Sequence, residues 1–452
     1  MDTDDEELIL KIEQRLIDEV RTHLMNYRED ANAVQDAVKH SKAIYKGEPV
    51  PYLYLPRIFD ADDVKNFKEA TEQMAAICAH VIALYQQEQS IRDFYHFDEK
   101  LDALIRLPHY YETQVPMGRF DIFYYGDGAY QFCELNADGA SAMNEEYELS
   151  KILAHTRAMH DFSFDVQPSA CELFDSWVSE VTAIYSDYSL QTNRKKDGNK
   201  PVNVAIVDLL DKGSPIEFEM FKEAFERADY ACKIVDARSL VFKDGKLWAE
   251  EMAIDVIYRR LVTKDLMDAY DELEDFVKGV KANAACLIGP IKTQIIHTKR
   301  FFELLYAPVL QPFLSEEEEA FIKAHVPYTA PLTRSQVFID SKDDYIIKPV
   351  DYYASKGVCA GRDYTPSEWA MLLEDKYDNG YVIQHYCPYA LVDNAVLVDG
   401  TLQMETFRHI TGLFVYNGKL KGMYSRAGRN AIISGLHDGF TLSSLVAKPL
   451  PL

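Results

Sequence analysis

Nowhere in its 452 residues does this chain carry an apolar run near the roughly 20 residues a spanning helix needs, so a membrane class is set aside. It has no CxxC pair. Seven scattered cysteines (Cys78, Cys133, Cys171, Cys232, Cys286, Cys359, Cys387) fit neither a disulfide framework nor a zinc knuckle, and reduced, mostly buried thiols are expected. Basic residues are the minority, 48 Lys and Arg against 73 Asp and Glu. The net charge of -25 opposes a phosphate backbone, so no nucleic-acid partner is expected. That charge attracts a cationic substrate or simply aids solubility. The acidic start, Met1 to Glu7, lacks the basic region of a signal or transit peptide, and a cytoplasmic location is expected. GxGxxG, GxSxG, Walker A and HExxH are all missing, which removes dinucleotide-binding, serine-hydrolase, P-loop and zincin readings. Repeats and low-complexity tracts are absent too.

What is present divides into four parts, more than one compact core accommodates. Residues 1-110 read as a helical N-terminal region, since Ile9, Ile12, Leu16, Val20 and Leu24, then Phe67, Met74, Ile77, Val81 and Leu84, recur at spacings dominated by three and four. Within 111-165 the period changes to two from Gly118 to Asn136, around an Asp127-Gly128 step that predicts a β-hairpin. Segment 166-290 holds a polar linker at Gln191 to Lys200. Beyond it come an apolar strand (Val202 to Leu209), a helix (Glu217 to Arg227), a strand (Cys232 to Val235), a Lys243-Asp244-Gly245-Lys246 turn and a strand (Asp255 to Tyr258). That alternation predicts a small Rossmann-like lobe with a parallel sheet. Segment 291-452 reads α+β: a helix over Thr298 to Tyr306, a capping box at Ser315 and Glu318, and strands Tyr345 to Lys348 and Tyr381 to His385. Turns at Asp399-Gly400 and Asn417-Gly418 then predict an antiparallel meander from Ala395 to Arg426.

Counting back from the Asp127-Gly128 turn places Asp121 opposite Glu134 and Arg119 opposite Asn136, all on one face. Two opposed acids repel unless a cation lies between them, and oxygen ligands of this kind suit Mg²⁺ carrying nucleotide phosphates. The alternative is a surface hairpin whose Arg119 neutralises its neighbours. In the Rossmann-like lobe, Arg259 and Arg260 end a strand, where α/β sheets bind ligands. They either grip a substrate carboxylate or pair with nearby acids. His109, His385, His409 and His437 have no second ligand at helical spacing and are read as structural.

The pattern Arg119-Phe120-Asp121, a hairpin, then Glu134-Leu135-Asn136-Ala137-Asp138 and small residues resembles the magnesium-binding end of ATP-grasp enzymes. The phosphate-binding lysines of ordinary members precede that motif, whereas Lys299 and Lys348-Pro349 here follow it. This order resembles the circularly permuted glutathionylspermidine synthetase family, over roughly Arg119 to Asn430. The resemblance implies an α+β ATP-grasp fold and a carboxylate-amine ligase that uses ATP and Mg²⁺ to form an acyl phosphate. It makes Asp121, Glu134 and Asn136 metal ligands. Lys299, Lys348, Gly357, Gln384 and Asn430 become nucleotide contacts, Arg119 and Arg426 catalytic arginines, and Ser141 a contact to the acyl substrate. The loop Asp351 to Gly357 is the candidate lid.

Three features depart from the family. No amidase domain is expected ahead of the synthetase, the loop after Lys348 and the hairpin are longer, and Lys356 stands where an arginine is usual. The partners expected are a small-molecule or peptide carboxylate and an amine, a polyamine among the candidates, with oligomeric state left open. Two alternatives remain: a ligase for an unrelated acid and amine, or a nucleotide-binding homologue without turnover.

Overall fold

The computed structural model of the chain describes residues 3-162, 164, 167-194, 201-351, 356-430, 432-433 and 439-447, with 3-12 described by backbone alone. The spacing of apolar residues in the first hundred positions does build helices, at Thr3–Thr22, Arg28–Lys39, Ala61–Gln87, Gln89–Tyr95 and Glu99–Ile105. Asp60 starts the longest of them, accepting from the backbone N–H groups of Asp62 and Asp63 at 2.8 Å while the Asp63 side chain returns to the Asp60 N–H. Its buried stripe, Phe67, Met74, Ile77 and Val81, packs beneath Phe120, Ile122, Leu413 and Met423 of the central sheet.

That sheet is antiparallel. Its strands run in the order Gly439–Leu442, Lys419–Gly428, Thr401–Tyr416, Met117–Gly126 and Ala129–Asn136, and Ala390–Val398 also pairs with Thr401–Tyr416. The 16-residue strand Thr401–Tyr416 uses its first half for Ala390–Val398 and its second half for Met117–Gly126. An early hairpin is thereby joined edge to edge with the late meander. The turns at Asp127-Gly128, Asp244-Gly245, Asp399-Gly400 and Asn417-Gly418 all have positive φ at both central residues, as hairpins closed by two-residue loops require.

The Rossmann-like lobe has a four-stranded parallel sheet in the order Cys286–Ile288, Val256–Arg259, Asn203–Asp208, Ala231–Asp236. Val204, Ala205, Ile206 and Val207 are all fully buried, as a strand covered on both faces demands. A third sheet orders Thr329–Pro331, Tyr381–His385, Tyr345–Pro349 and Cys359–Ala360, and its Ile347 and Ile383 pack on Trp369 and Leu373 of the helix Pro366–Lys376.

Two expectations shift. The helix expected from Thr298 begins at Arg300, with Lys299 as its cap, after a separate turn of helix at Gln294–His297. The N-terminal region also contains a short strand, Arg57–Phe59, that pairs parallel with Ser444–Val446 near the other end of the described chain. No local periodicity reveals a partner so distant. The expected linker and lid fall partly, and His437 wholly, outside the described residues. The Ser315–Glu318 capping box is present as read.

Candidate active site

The hairpin pairs Arg119 with Asn136 and Asp121 with Glu134, although the register between these pairs and the turn is offset by one. Two irregularities cause this. Tyr125 is extra on the first strand and Cys133 on the second, and the offsets cancel before the acids are reached. On the other side of the first strand, Gly412 lies opposite Asp121. A Cβ at Gly412 would stand 2.7 Å from Asp121 Oδ1 and 2.8 Å from Arg119 Cδ, so the missing side chain leaves the room in which this pair is packed.

Asp121 is fully buried. It accepts from Arg119 Nε at 2.7 Å and Nη2 at 3.1 Å, from Arg426 Nη2 at 2.5 Å, and from Asn136 Nδ2 at 3.2 Å. Glu134 accepts from Asn136 Nδ2 at 3.2 Å and lies 3.5 Å from Lys299 Nζ. Lys348 Nζ donates to the Cys133 carbonyl at 3.2 Å, in the same cluster. Burial pushes the Glu134 carboxyl up, but Lys299, Arg426, Lys348 and the Asn136 amide outweigh it and hold the group well below the usual carboxylate range. Glu134 is therefore ionised across the physiological range.

Arg119, Arg426, Lys299 and Lys348 set four positive charges against two carboxylates, a local excess of cation in a chain whose net charge is -25. Such a cluster suits a polyanion. The two carboxylates and the Asn136 amide offer the hard oxygen donors that Mg²⁺ takes, although no group of three or more His, Cys, Asp or Glu is assembled among the described residues. One donor is left over: the Arg426 Nε–H is buried and has no partner among the described residues. An orphan of this kind costs free energy unless a ligand completes it.

The cluster borders a cleft of about 310 Å³ between the hairpin and the C-terminal ends of the parallel strands. Arg119, Glu134, Asn136, Ser141, Arg260 and Arg426 all line it. The Ser141 carbonyl also accepts from Arg119 Nη1 at 2.9 Å. Arg260 is tied to Glu217 at 2.6 Å and to the Tyr258 hydroxyl at 3.1 Å, yet its buried Nε–H has no partner among the described residues. Its neighbour Arg259 does not reach the cleft. All three of its nitrogens are engaged internally, by Asp138, by Thr263 and by the carbonyls of Gly289, Leu261 and Pro290. In the order of a parallel strand, adjacent residues face opposite ways, and only one of the pair can open to the crevice.

A smaller cavity joins Lys299, Lys348, Gln384, Thr298 and Phe302. Gln384 is buried there and donates to Thr329 Oγ1 at 2.8 Å. Gly357 is exposed at φ +73°, and a Cβ on it would meet the Tyr381 hydroxyl at 2.8 Å, so the backbone passes closely over the strand end. Asn430 is exposed past the end of Lys419–Gly428 and does not line the cleft.

Several cleft residues escaped the sequence reading. Glu145, Asp208, His297 and Tyr424 line it but belong to no motif. A glycine inside a strand, Gly412, was the one local signal available for the close packing beside Asp121.

No family model matches the sequence, and no curated protein does. Among solved structures, a glutathione synthetase-like effector from Globodera pallida in its apo form aligns at a TM-score of 0.61 and 12% identity, over 92% of this chain and 96% of that one. A putative γ-glutamylcysteine synthetase from Methylobacillus flagellatus aligns at TM-score 0.40 and 10% identity (86% and 89% of the two chains), and a D-cycloserine synthetase at 0.29 and 13% (55% and 92%). The latter two are too distant to define a shared architecture. The chain thus shares its fold with the glutathione synthetase-like effector, at an identity that speaks for the fold alone.

Proposed function

We propose that this chain is an ATP-grasp ligase that activates a carboxylate as an acyl phosphate and joins it to an amine. The observation that carries this is the convergence of Lys299, Lys348, Arg119 and Arg426 on the acids of the Asp121–Glu134 hairpin, beside a cleft with room for a second substrate. Phosphoryl transfer to a carboxylate brings two anions together, and fixed cations lower that repulsion. Lys348 and Lys299 would hold the phosphates, with Gln384 at the adenine edge. Arg119 and Arg426, whose buried Nε–H has no partner among the described residues, would meet the phosphoryl group in transfer. Asp121, Glu134 and Asn136 would hold Mg²⁺, which supplies charge neutralisation between the phosphate oxygens. Arg260, through the Nε–H that has no partner among the described residues, and Ser141 would orient the acyl substrate. The order of the elements, metal-site hairpin before phosphate-binding lysines, favours the permuted, glutathionylspermidine synthetase-like arrangement.

A second reading, nucleotide binding without turnover, is favoured by one fact: Asp121 already accepts from two arginines and an amide, which a metal would have to displace. Measuring ADP release with Mg·ATP against a panel of amino acids, γ-glutamyl peptides and amines separates the two. Release that requires both an acid and an amine is the expected result. ATP binding without ADP would support the second reading, and failure to bind ATP would overturn both.

A further inference from the structure

An amine attacking an acyl phosphate must first lose a proton, because an aliphatic ammonium at neutral pH has no lone pair to offer. The cleft contains several groups able to accept it. Asp138 has both oxygens engaged, by Arg259 and by the Thr263 N–H, and Asp265 is paired to Lys212 at 2.7 Å. His297 lines both this cleft and the smaller cavity that joins Lys299 and Lys348. Asp208 stands across the cleft in the Rossmann-like lobe and accepts from the Leu209 N–H at 2.8 Å.

Glu145 is placed differently. It sits in the first turn of the helix Met143–Leu153, lines the cleft, and accepts from the Tyr424 hydroxyl at 3.0 Å through one oxygen. Among the described residues nothing donates to its other oxygen. The Tyr424 ring carries both catalytic arginines, with the guanidinium carbons of Arg119 and Arg426 at 5.4 and 5.9 Å from its centroid. One tyrosine therefore connects the phosphoryl-transfer arginines to this carboxylate and fixes its distance from the reacting centre.

We propose that Glu145 is the base that accepts the proton of the attacking ammonium, a role that rests on the acyl-phosphate reading above. The Glu145 carboxylate takes one N–H proton, the freed nitrogen pair forms the C–N bond, and the C–O bond to phosphate breaks with its electrons leaving on phosphate. The second amine proton departs with that phosphate. Burial pushes the Glu145 carboxyl up to about 7, and Glu217 adds to this while the Tyr424 hydroxyl, Arg119 and Arg426 oppose it. A base of that strength is half available at neutral pH, where a general base is most effective.

Hydroxylamine tests this, because it is neutral at pH 7 and attacks acyl phosphates without a base. Wild type and Glu145→Gln are compared with Mg·ATP and the standard amino acids plus glutathione as carboxylates. Hydroxylamine serves as one acceptor, and methylamine, glycine or putrescine as the others. The glutamine keeps the hydrogen bond from Tyr424. The expected result is amide formation lowered ~100-fold or more with hydroxamate formation retained. Equal amide formation by the variant overturns the role of Glu145 and leaves the ligase reading standing. Loss of hydroxamate together with amide overturns it as well, by making the residue necessary for activation or folding. A wild type that forms hydroxamate but no amide from these amines also overturns it, and a wild type that forms neither removes the ligase reading itself. Tyr424→Phe is the independent check: without the hydroxyl the Glu145 carboxyl rises further, so the acidic limb of the amide pH profile moves upward while the hydroxamate profile does not. An unmoved limb overturns the proposal.

Discussion

Asp121 and Asp138 are both buried acids held by arginines, one within the hairpin and one just past it, yet they play different parts. Around Asp138, Arg259 has every nitrogen engaged within the protein and stitches the hairpin exit to the Rossmann-like lobe. Around Asp121, Arg426, which lines the cleft, keeps a buried N–H without a partner among the described residues. Burial and ion pairing look alike in the two clusters. The unfilled hydrogen-bonding capacity is what separates a site from a strut, because a fully satisfied network has nothing left to offer a ligand.

The comparison breaks most visibly if turnover and stability are affected by the wrong cluster. Glu134→Gln should bring Mg²⁺-dependent ADP formation below detection with an unchanged circular dichroism spectrum, and normal turnover would place the metal elsewhere. Arg426→Met should lower turnover ~10³-fold or more, as removal of a phosphoryl-stabilising arginine does elsewhere, with little change in urea midpoint. Arg259→Met should do the reverse: it leaves Asp138 buried and unpaired, at a cost of about 3 to 5 kcal/mol in urea unfolding. Equal stability in both variants would erase the distinction between the two clusters. Lys348→Ala should raise the apparent KM for ATP by ~10-fold or more while turnover at saturating ATP changes less, since a charge-assisted phosphate contact is removed.

The smallest effect concerns pH. Burial pushes the Asp208 carboxyl up to about 7, partly offset by Arg260, against ~3.9 for an aspartate in an unfolded chain. Between those values the native state holds a proton that the unfolded chain has lost, so the unfolding free energy falls as pH rises through this window. Asp208→Asn should flatten that slope in urea titrations taken from pH 4 to pH 7. An identical slope would show Asp208 to titrate normally.

Features governed by neighbours in the chain were legible in advance. The Ser315–Glu318 cap, the four two-residue turns and the parallel strands of the Rossmann-like lobe follow from local residue chemistry and period. The pairing of Asp121 with Glu134 is legible too, because the offsets of the two bulges cancel before the acids are reached. Helix starts were less legible: Lys299 caps a helix instead of lying within it, because the backbone turns after His297.

The sequence by itself determined the helical character of the first hundred residues, the parallel strands, the turns, and an early acidic hairpin with lysines far downstream. Only the tertiary structure decided that Gly412 makes room beside Asp121, that Arg260 borders the cleft while Arg259 does not, and that Tyr424 links two arginines to Glu145. Period and turn chemistry act between residues a few positions apart, whereas charge compensation and leftover hydrogen-bonding capacity depend on what stands nearby in space, wherever in the chain it originates.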